Sequence, residues 1–521
     1  MDGQGLDDFE PTLTPEIRSR RQLNASIPFR TFPVEIIQTI FLDASFAFDK
    51  AYRAIPATFA SVQLSHVSTL WRAIALAIPG MWSHLDASFP DTAIAELLMR
   101  SKGIPLFLCS NCSVVSASKS RRFFESISKV LTQWQEVAVG FGSKGEDFLD
   151  RLPTLRSVTM LDSLEVNYGP QRRPLNLGPL PDTKFEGAPF RIRSLILAGN
   201  AFPWNSSVYT SASELVMLYV SCFANEPIPS LLRSWATFKN LRVLDLNHCQ
   251  SYCINEENPF EGQVFSFACL EQLLLGGETV FCVHQLLALI QAPNCTLVFV
   301  SILGGAYAAS LDSKYPTGNI LPTSQKDGSQ TLRNMHCQAI NSAILSGVFR
   351  QDEYTFIGKS ASEGTTFRFS IENATDTTLH TLYRQPSFED FPNLTSLTFH
   401  GISAIDVSAC CAVLLAIPAI LELYLKEMRE TRAIVDLLGG LREPARVPKL
   451  RVLEFHQSKL DASSLAQCLR NRHAKGCAGL RMLALVHISR WLVPRQKVQV
   501  LEELMKEAEG KFILRLPRDR L

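Results

Sequence analysis

Two stretches carry residue types that bind metals or cycle redox states. "CSNC" places Cys109 and Cys112 at the spacing of half a tetrahedral zinc site, and "CLRNRHAKGC" gathers Cys468, His473 and Cys477. A structural zinc site needs four ligands, and no second Cys-x-x-Cys or His-x-x-x-His completes either stretch, so both read as coincidence and no metal is expected. "GFGSKGED", Gly140 to Asp147, is glycine-rich and contains Lys144, but it lacks the Gly-Lys-Ser/Thr of a phosphate loop and reads as a turn. The sequence has no Gly-x-Ser-x-Gly elbow, no His-Glu-x-x-His pair and no dinucleotide fingerprint. The expectation is a chain with no catalytic residues and no cofactor. An enzyme whose groups are dispersed along the chain is a third and weaker alternative.

Composition points the same way. Of 521 residues, 46% are hydrophobic and 19% charged, the balance of a folded, soluble chain. Lys plus Arg (51) nearly cancels Asp plus Glu (50), which gives no overall field for nucleic acid or an anionic membrane. The 13 cysteines are odd in number and follow no framework spacing. The first residues hold no apolar signal core, and "RSRR", Arg18 to Arg21, reads as a solvated tail rather than a nuclear signal. Reduced thiols in a cytoplasmic and/or nuclear protein are expected. The most apolar run, Ala409 to Leu421, is interrupted by Pro418 and followed by Glu422. It is too short to span a bilayer and reads as core, so no membrane is expected as a partner.

The elements follow from a recurring pattern, L-x-x-L-x-L with conservative replacements. It begins at Leu155, Ile192, Leu215, Leu241, Leu270 and Cys295, and again at Leu394, Ile420, Leu450 and Leu480. Successive starts differ by 37, 23, 26, 29 and 25 residues, then by 26, 30 and 30. These units resemble leucine-rich repeats, each a short parallel strand whose first, fourth and sixth residues enter a stacked core. "PSLLRSWATFKN", "HQLLALIQAPN" and "CAVLLAIPAI" supply helices between strands. Asn200 and Cys249 fall nine places into their repeats, where such units often bond the turning backbone. "WQEVAV" from Trp134 opens the array, and "QKVQVLEELMKEAEGKFILRL" closes it with a helix and a strand. Tyr168 to Phe190 reads as a Pro- and Gly-rich loop.

Residues 301–390 keep no clean period. "LPTSQKDGSQ" reads as a loop, "YTFIG" and "TTFRFSIEN" as strands, and "TLRNMHCQAINSAILSG" as a helix. Degenerate repeats or a separate inserted domain both fit.

The chain opens with two amphipathic segments. In "FPVEIIQTIF" Pro33 suits a helix start, and Val34, Ile37, Ile40 and Phe41 form an apolar side. In the second, Ala60, Leu64, Val67, Trp71, Ile74 and Ile78 step at helical period until Pro79. "FPVEIIQTIF…LSHVSTLWRAIA" resembles the F-box, through Pro33, Glu35, Ile36, Ile40, Phe41, Val67, Ser68, Trp71, Arg72, Ile74 and Ala75. Phe32 stands where that family usually has leucine, and the connector between the segments is longer than typical.

The resemblance implies docking on the small adaptor subunit of a cullin-RING ubiquitin ligase and, through it, on the cullin. Carried over, it puts Phe32, Pro33, Ile36, Ile37, Ile40 and Phe41 at the adaptor and leaves Val67 and Trp71 to hold the helices together. The expected organisation is a polar leader (1–26), an F-box-like helical module (27–90), a first repeat block (91–300), an irregular middle (301–390), and a second block with its cap (391–521). The expected fold is α/β, a helical module followed by a leucine-rich-repeat-like solenoid with parallel strands on one face and helices on the other. The expected function is that of a substrate receptor holding an unknown protein on the repeat surface. The alternative is a repeat-based interaction scaffold whose helical start is only a cap.

Overall fold

The computed structural model describes residues 19, 32–51, 57–111, 115–141, 158–168, 191–198, 212–221, 228–249, 264–277, 286–287, 289–303, 342–348, 353–360, 366–372, 391, 393–402, 407–417, 419–440, 447–488 and 494–515. The chain divides into two compact units, residues 1–175 with 179–192, and residues 176–178 with 193–521. Both are α/β, with parallel strands and helices.

The first unit begins with α1 (Val34–Ala51), α2 (Ala57–Ser65) and α3 (Thr69–Ala77). The stripe from Ala60 to Ile78 predicts one continuous helix, but the chain turns at His66 and Val67 and restarts at Ser68. Ser68 is extended (φ −157°, ψ 166°), and its hydroxyl accepts the Trp71 N–H at 3.1 Å. That N-cap satisfies a donor that a helix start otherwise leaves unpaired.

A 3-10 turn, Pro79–Trp82, buries Met81 and Trp82 and delivers the chain to β1 (His84–Asp86), a strand the sequence reading missed. After it come α4 (Asp91–Arg100), β2 (Leu106–Asn111), α5 (Ala117–Ile127), β3 (Trp134–Phe141) and β4 (Ser163–Tyr168). The strands pair in parallel in the order β1-β2-β3-β4.

A boundary near residue 90 is therefore not observed. β1 is hydrogen-bonded to β2, and the Arg100 guanidinium lies 4.8 Å from the centre of the Trp82 ring. The repeat expected at Leu155 is also displaced. Val158 to Met160 are not strand, and β4 instead uses "LDSLEV", which buries Leu161, Leu164 and Val166. Of the loops expected around it, residues 142–147 and 169–190 lie outside the described residues.

The second unit contains β5 (Ser194–Ala198), β6 (Met217–Ser221), α6 (Ile228–Trp235), β7 (Val243–Cys249), the two-residue β8 (Phe265–Ser266), β9 (Gln272–Gly277), the two-residue β10 (Ile290–Gln291) and β11 (Leu297–Leu303). Strands β5, β6, β7, β9 and β11 pair successively in parallel. Leu286 and Leu287 are helical and buried, but the chain passes almost at once into β10, so the helix expected at "HQLLALIQAPN" is cut short.

Beyond β11 lie β12 (Ser342–Val348), β13 (Glu353–Lys359) and β14 (Thr366–Glu372). β13 and β14 match the strands expected there, whereas β12 occupies the end of the stretch expected as a helix. β13 is antiparallel to both β12 and β14, with β14 parallel to β11 and β12 parallel to β15 (Ser396–His400). They are thus inserted into the same ladder of strands. The loop expected at residues 321–330 lies outside the described residues.

The unit ends with α7 (Val407–Ala416), β16 (Glu422–Lys426), α8 (Arg432–Gly439), β17 (Val452–His456), α9 (Ala462–Ala474), β18 (Met482–Val486), α10 (Arg495–Glu507) and β19 (Lys511–Arg515). β15 to β19 are all parallel, and each helix from α7 to α10 packs on the next. In every motif from Leu215 onward the first, fourth and sixth residues are buried, so alternation along the strand sets one side of each into the core.

Each strand of this block ends in a turn of constant design. Gly401, Glu427, Gln457 and His487 all have positive φ, between 50° and 66°. Their N–H groups donate to the last strand carbonyl of the following repeat: Gly401 to Lys426 (2.9 Å), Glu427 to His456 (2.8 Å), Gln457 to Val486 (3.0 Å) and His487 to Arg515 (2.6 Å). The left-handed conformation costs a non-glycine residue about 1 kcal/mol or more, which this bond offsets. One place further on the side chains are buried: Ile402, Met428, Ser458 and Ile488. Ser458 donates to the Leu425 carbonyl (2.8 Å) and accepts from the Met428 N–H (3.0 Å), the role expected of Asn200 and Cys249 at the ninth place. Asn200 lies outside the described residues, and Cys249 ends β7.

Candidate functional site

α1 carries more apolar side chain than the chain itself covers. Ile37 and Phe41, four residues apart, point inward, and the Phe41 ring lies 4.9 Å from that of Trp71 on α3. Ile36 and Ile40 keep the same spacing one place earlier, a stripe rotated by about 100°. That stripe is exposed, Ile36 at 47% and Ile40 at 42%, and so are Phe32 (48%) and Val34 (45%). Burying such side chains is worth roughly 1.5–3 kcal/mol each, so a partner covering this stripe gains what the chain leaves unused.

The six residues expected at a partner surface are thus divided. Phe32, Pro33, Ile36 and Ile40 are exposed, whereas Ile37 and Phe41 are interior, because α2 and α3 pack on that side of α1. Val67, expected to hold the helices together, stands in the turn before Ser68 and is 54% exposed, while Trp71 does pack on Phe41. Val34, Val62 and Val67 add exposed apolar surface that was not assigned to this role. Helical periodicity finds a stripe, but it does not reveal which of two adjacent stripes the rest of the chain covers.

The remaining motif residues have internal duties. Ile74 and Ala75 are buried, and the Ala75 carbonyl accepts the Trp82 indole N–H at 2.9 Å. Arg72 remains exposed.

Cys109 is half-buried on β2, and Cys112 lies outside the described residues. Cys468 is buried on α9, which pushes its thiol up to about 12, while His473 is exposed and Cys477 half-buried. Arg472, between them in sequence, is buried. Its guanidinium donates to the carbonyls of Val447 (2.9 Å), Leu450 (3.3 Å) and Leu438 (3.4 Å), and burial holds its pKa below the usual arginine value. This side chain ties the end of α8 to the stretch that precedes β17. Among the described residues no three His, Cys, Asp or Glu side chains are grouped to hold a metal, and no helix is long and apolar enough to cross a membrane.

No family model matches the chain, and no curated protein matches it significantly.

Proposed function

We propose that this chain is the substrate-receptor subunit of a cullin-RING ubiquitin ligase, a non-catalytic protein that docks on the adaptor through an F-box-like helical module and holds a substrate protein on a leucine-rich-repeat-like solenoid. The observation that supports this most is the exposed stripe of Ile36 and Ile40 beside Phe32 and Val34, on a helix whose adjacent stripe, Ile37 and Phe41, is already packed. Amphipathic helices of this kind find their second apolar face in a partner's groove. Catalysis would then come from proximity, by raising the concentration of a substrate lysine near the charged ubiquitin carrier.

The rival, a repeat scaffold with a helical cap, draws support from the internal burial of Ile37, Phe41, Ala75 and Trp82. Capture of purified adaptor separates the two. Ile36→Asp combined with Ile40→Asp is expected to weaken capture by about three orders of magnitude with little change in melting temperature, since each anchor is worth about 2 kcal/mol or more. Ile37→Asp should instead destabilise the three helices. A wild-type chain that never captures the adaptor leaves the cap reading standing.

A further inference from the structure

The fifth residue of each motif lies between two core residues on the opposite side of its strand, and the pairing register sets these fifth residues in one row across the sheet. From β5 to β11 the row reads Ile196, Tyr219, Asp245, Leu274 and Phe299, each the direct partner of the next and each half-buried. At the usual strand spacing it is about 19 Å long. Four of the five side chains are large and apolar or aromatic, and Asp245 is the one acid among them.

Among the described residues that carboxylate has no cation of its own. Its hydrogen bond there comes from the Asn247 amide at 2.7 Å, which is neutral and leaves most of the carboxylate's acceptor capacity open. Arg242, three residues before it, is held by Glu271 at 3.1 Å. The next basic position along the row is Arg368 on β14, in register with Phe299 and three strands from Asp245, about 14 Å away. Burial without a countercharge pushes the carboxyl up to about 6, which still leaves it ionised at neutral pH.

We propose that this row binds a segment of a partner protein in which one arginine stands between large apolar residues, its guanidinium meeting Asp245 and lying against the Tyr219 ring while the apolar neighbours cover Leu274 and Phe299. Arginine suits the row better than lysine, because a planar guanidinium makes two parallel hydrogen bonds to a carboxylate and stacks on an aromatic ring. A nucleic acid does not fit, since its phosphates would meet the row's one acid with the same sign of charge. The inference deepens the receptor reading by naming the kind of substrate segment the repeat surface takes, and it rests on that reading for the partner's role. Peptide binding is measured without the adaptor, so either can fail while the other holds.

The probe is a fluorescein-labelled peptide with one arginine between leucine and phenylalanine and with glycine–serine ends, followed by anisotropy against the full chain. Two altered versions carry glutamine for the arginine, or serine for both apolar residues. The arginine peptide is expected to bind, and each altered version about tenfold more weakly or worse, the scale of one lost charge pair or apolar anchor. Asp245→Asn should bind the arginine and glutamine peptides equally, with no loss of melting temperature. Glu454→Gln, at the fifth place of its motif on β17, should bind like the wild type. The proposal is overturned if the wild-type chain does not bind the arginine peptide, if Asp245→Asn still prefers arginine to glutamine, if Glu454→Gln loses as much, or if free arginine amide binds as tightly as the peptide, which would make the row a site for a small cation.

Discussion

Asp245 shows how a single side chain can carry a cost that the fold tolerates. In the middle of β7 it stands in register between Tyr219 on β6 and Leu274 on β9, with the Asn247 amide donating to it at 2.7 Å. Gly276 on β9 makes room for Asn247, since a Cβ there would lie 2.0 Å from its carbonyl oxygen. Burial pushes the Asp245 carboxyl up from 3.8 to about 6. Between those values the folded chain holds a proton that the unfolded chain has released, so stability falls as pH rises through that window. Asp245→Asn is therefore expected to raise the melting temperature at about pH 7.5, with a smaller gain at about pH 5; an equal gain at both would remove the carboxylate as the cause. At this scale the sequence was legible where alternation alone decides, as for Leu244 and Leu246. It misled where two readings satisfy one template: "LRSVTM" and "LDSLEV" both offer apolar residues at the first, fourth and sixth places, and the chain uses the second. At Ser68 the unbroken stripe hid a break, although a serine before a new helical turn is an N-cap signal.

Among the elements, strands that bury their first, fourth and sixth residues leave no tolerance for charge on that side. Leu244 and Leu453 have essentially no exposed surface. Leu244→Asp and Leu453→Asp are each expected to cost about 4 kcal/mol or more, because an unpaired carboxylate replaces core. Glu454→Gln, one place along the same strand and half-buried on the outward side, should change little. Urea unfolding of the three variants checks the register, and wild-type midpoints for both aspartates would refute it. Strand identity was readable because each motif is short, apolar and locally periodic. β12 was not, since "SAILSG" lacks a deciding period and one of its pairing partners, β15, lies some fifty residues further along the chain.

At the scale of the whole molecule, the opening helices belong to a larger unit than their motif suggests. β1 takes its hydrogen bonds from β2, and that unit extends to residue 192. A fragment of residues 1–192 is expected to be soluble and to melt cooperatively. A fragment of residues 1–100 lacks β2, so β1 keeps a bare edge and the fragment should aggregate or melt broadly. Equal, cooperative melting of both would show that the helices need no sheet beneath them. The sequence hid this boundary because composition does not change at residue 90.

The turns that close β15 to β18 have one more consequence, which concerns length. Each strand of that block spans five residues and is followed by one left-handed residue tied to the next repeat, yet successive motif starts lie 26 or 30 residues apart. All of the variation therefore falls between one turn and the next strand, on the stretch that holds the helix. Insertions and deletions there can lengthen or shorten a repeat without shifting Lys426, His456 or His487 relative to one another. The two edges of the array can thus diverge independently, one keeping a fixed spacing while the other absorbs changes in chain length.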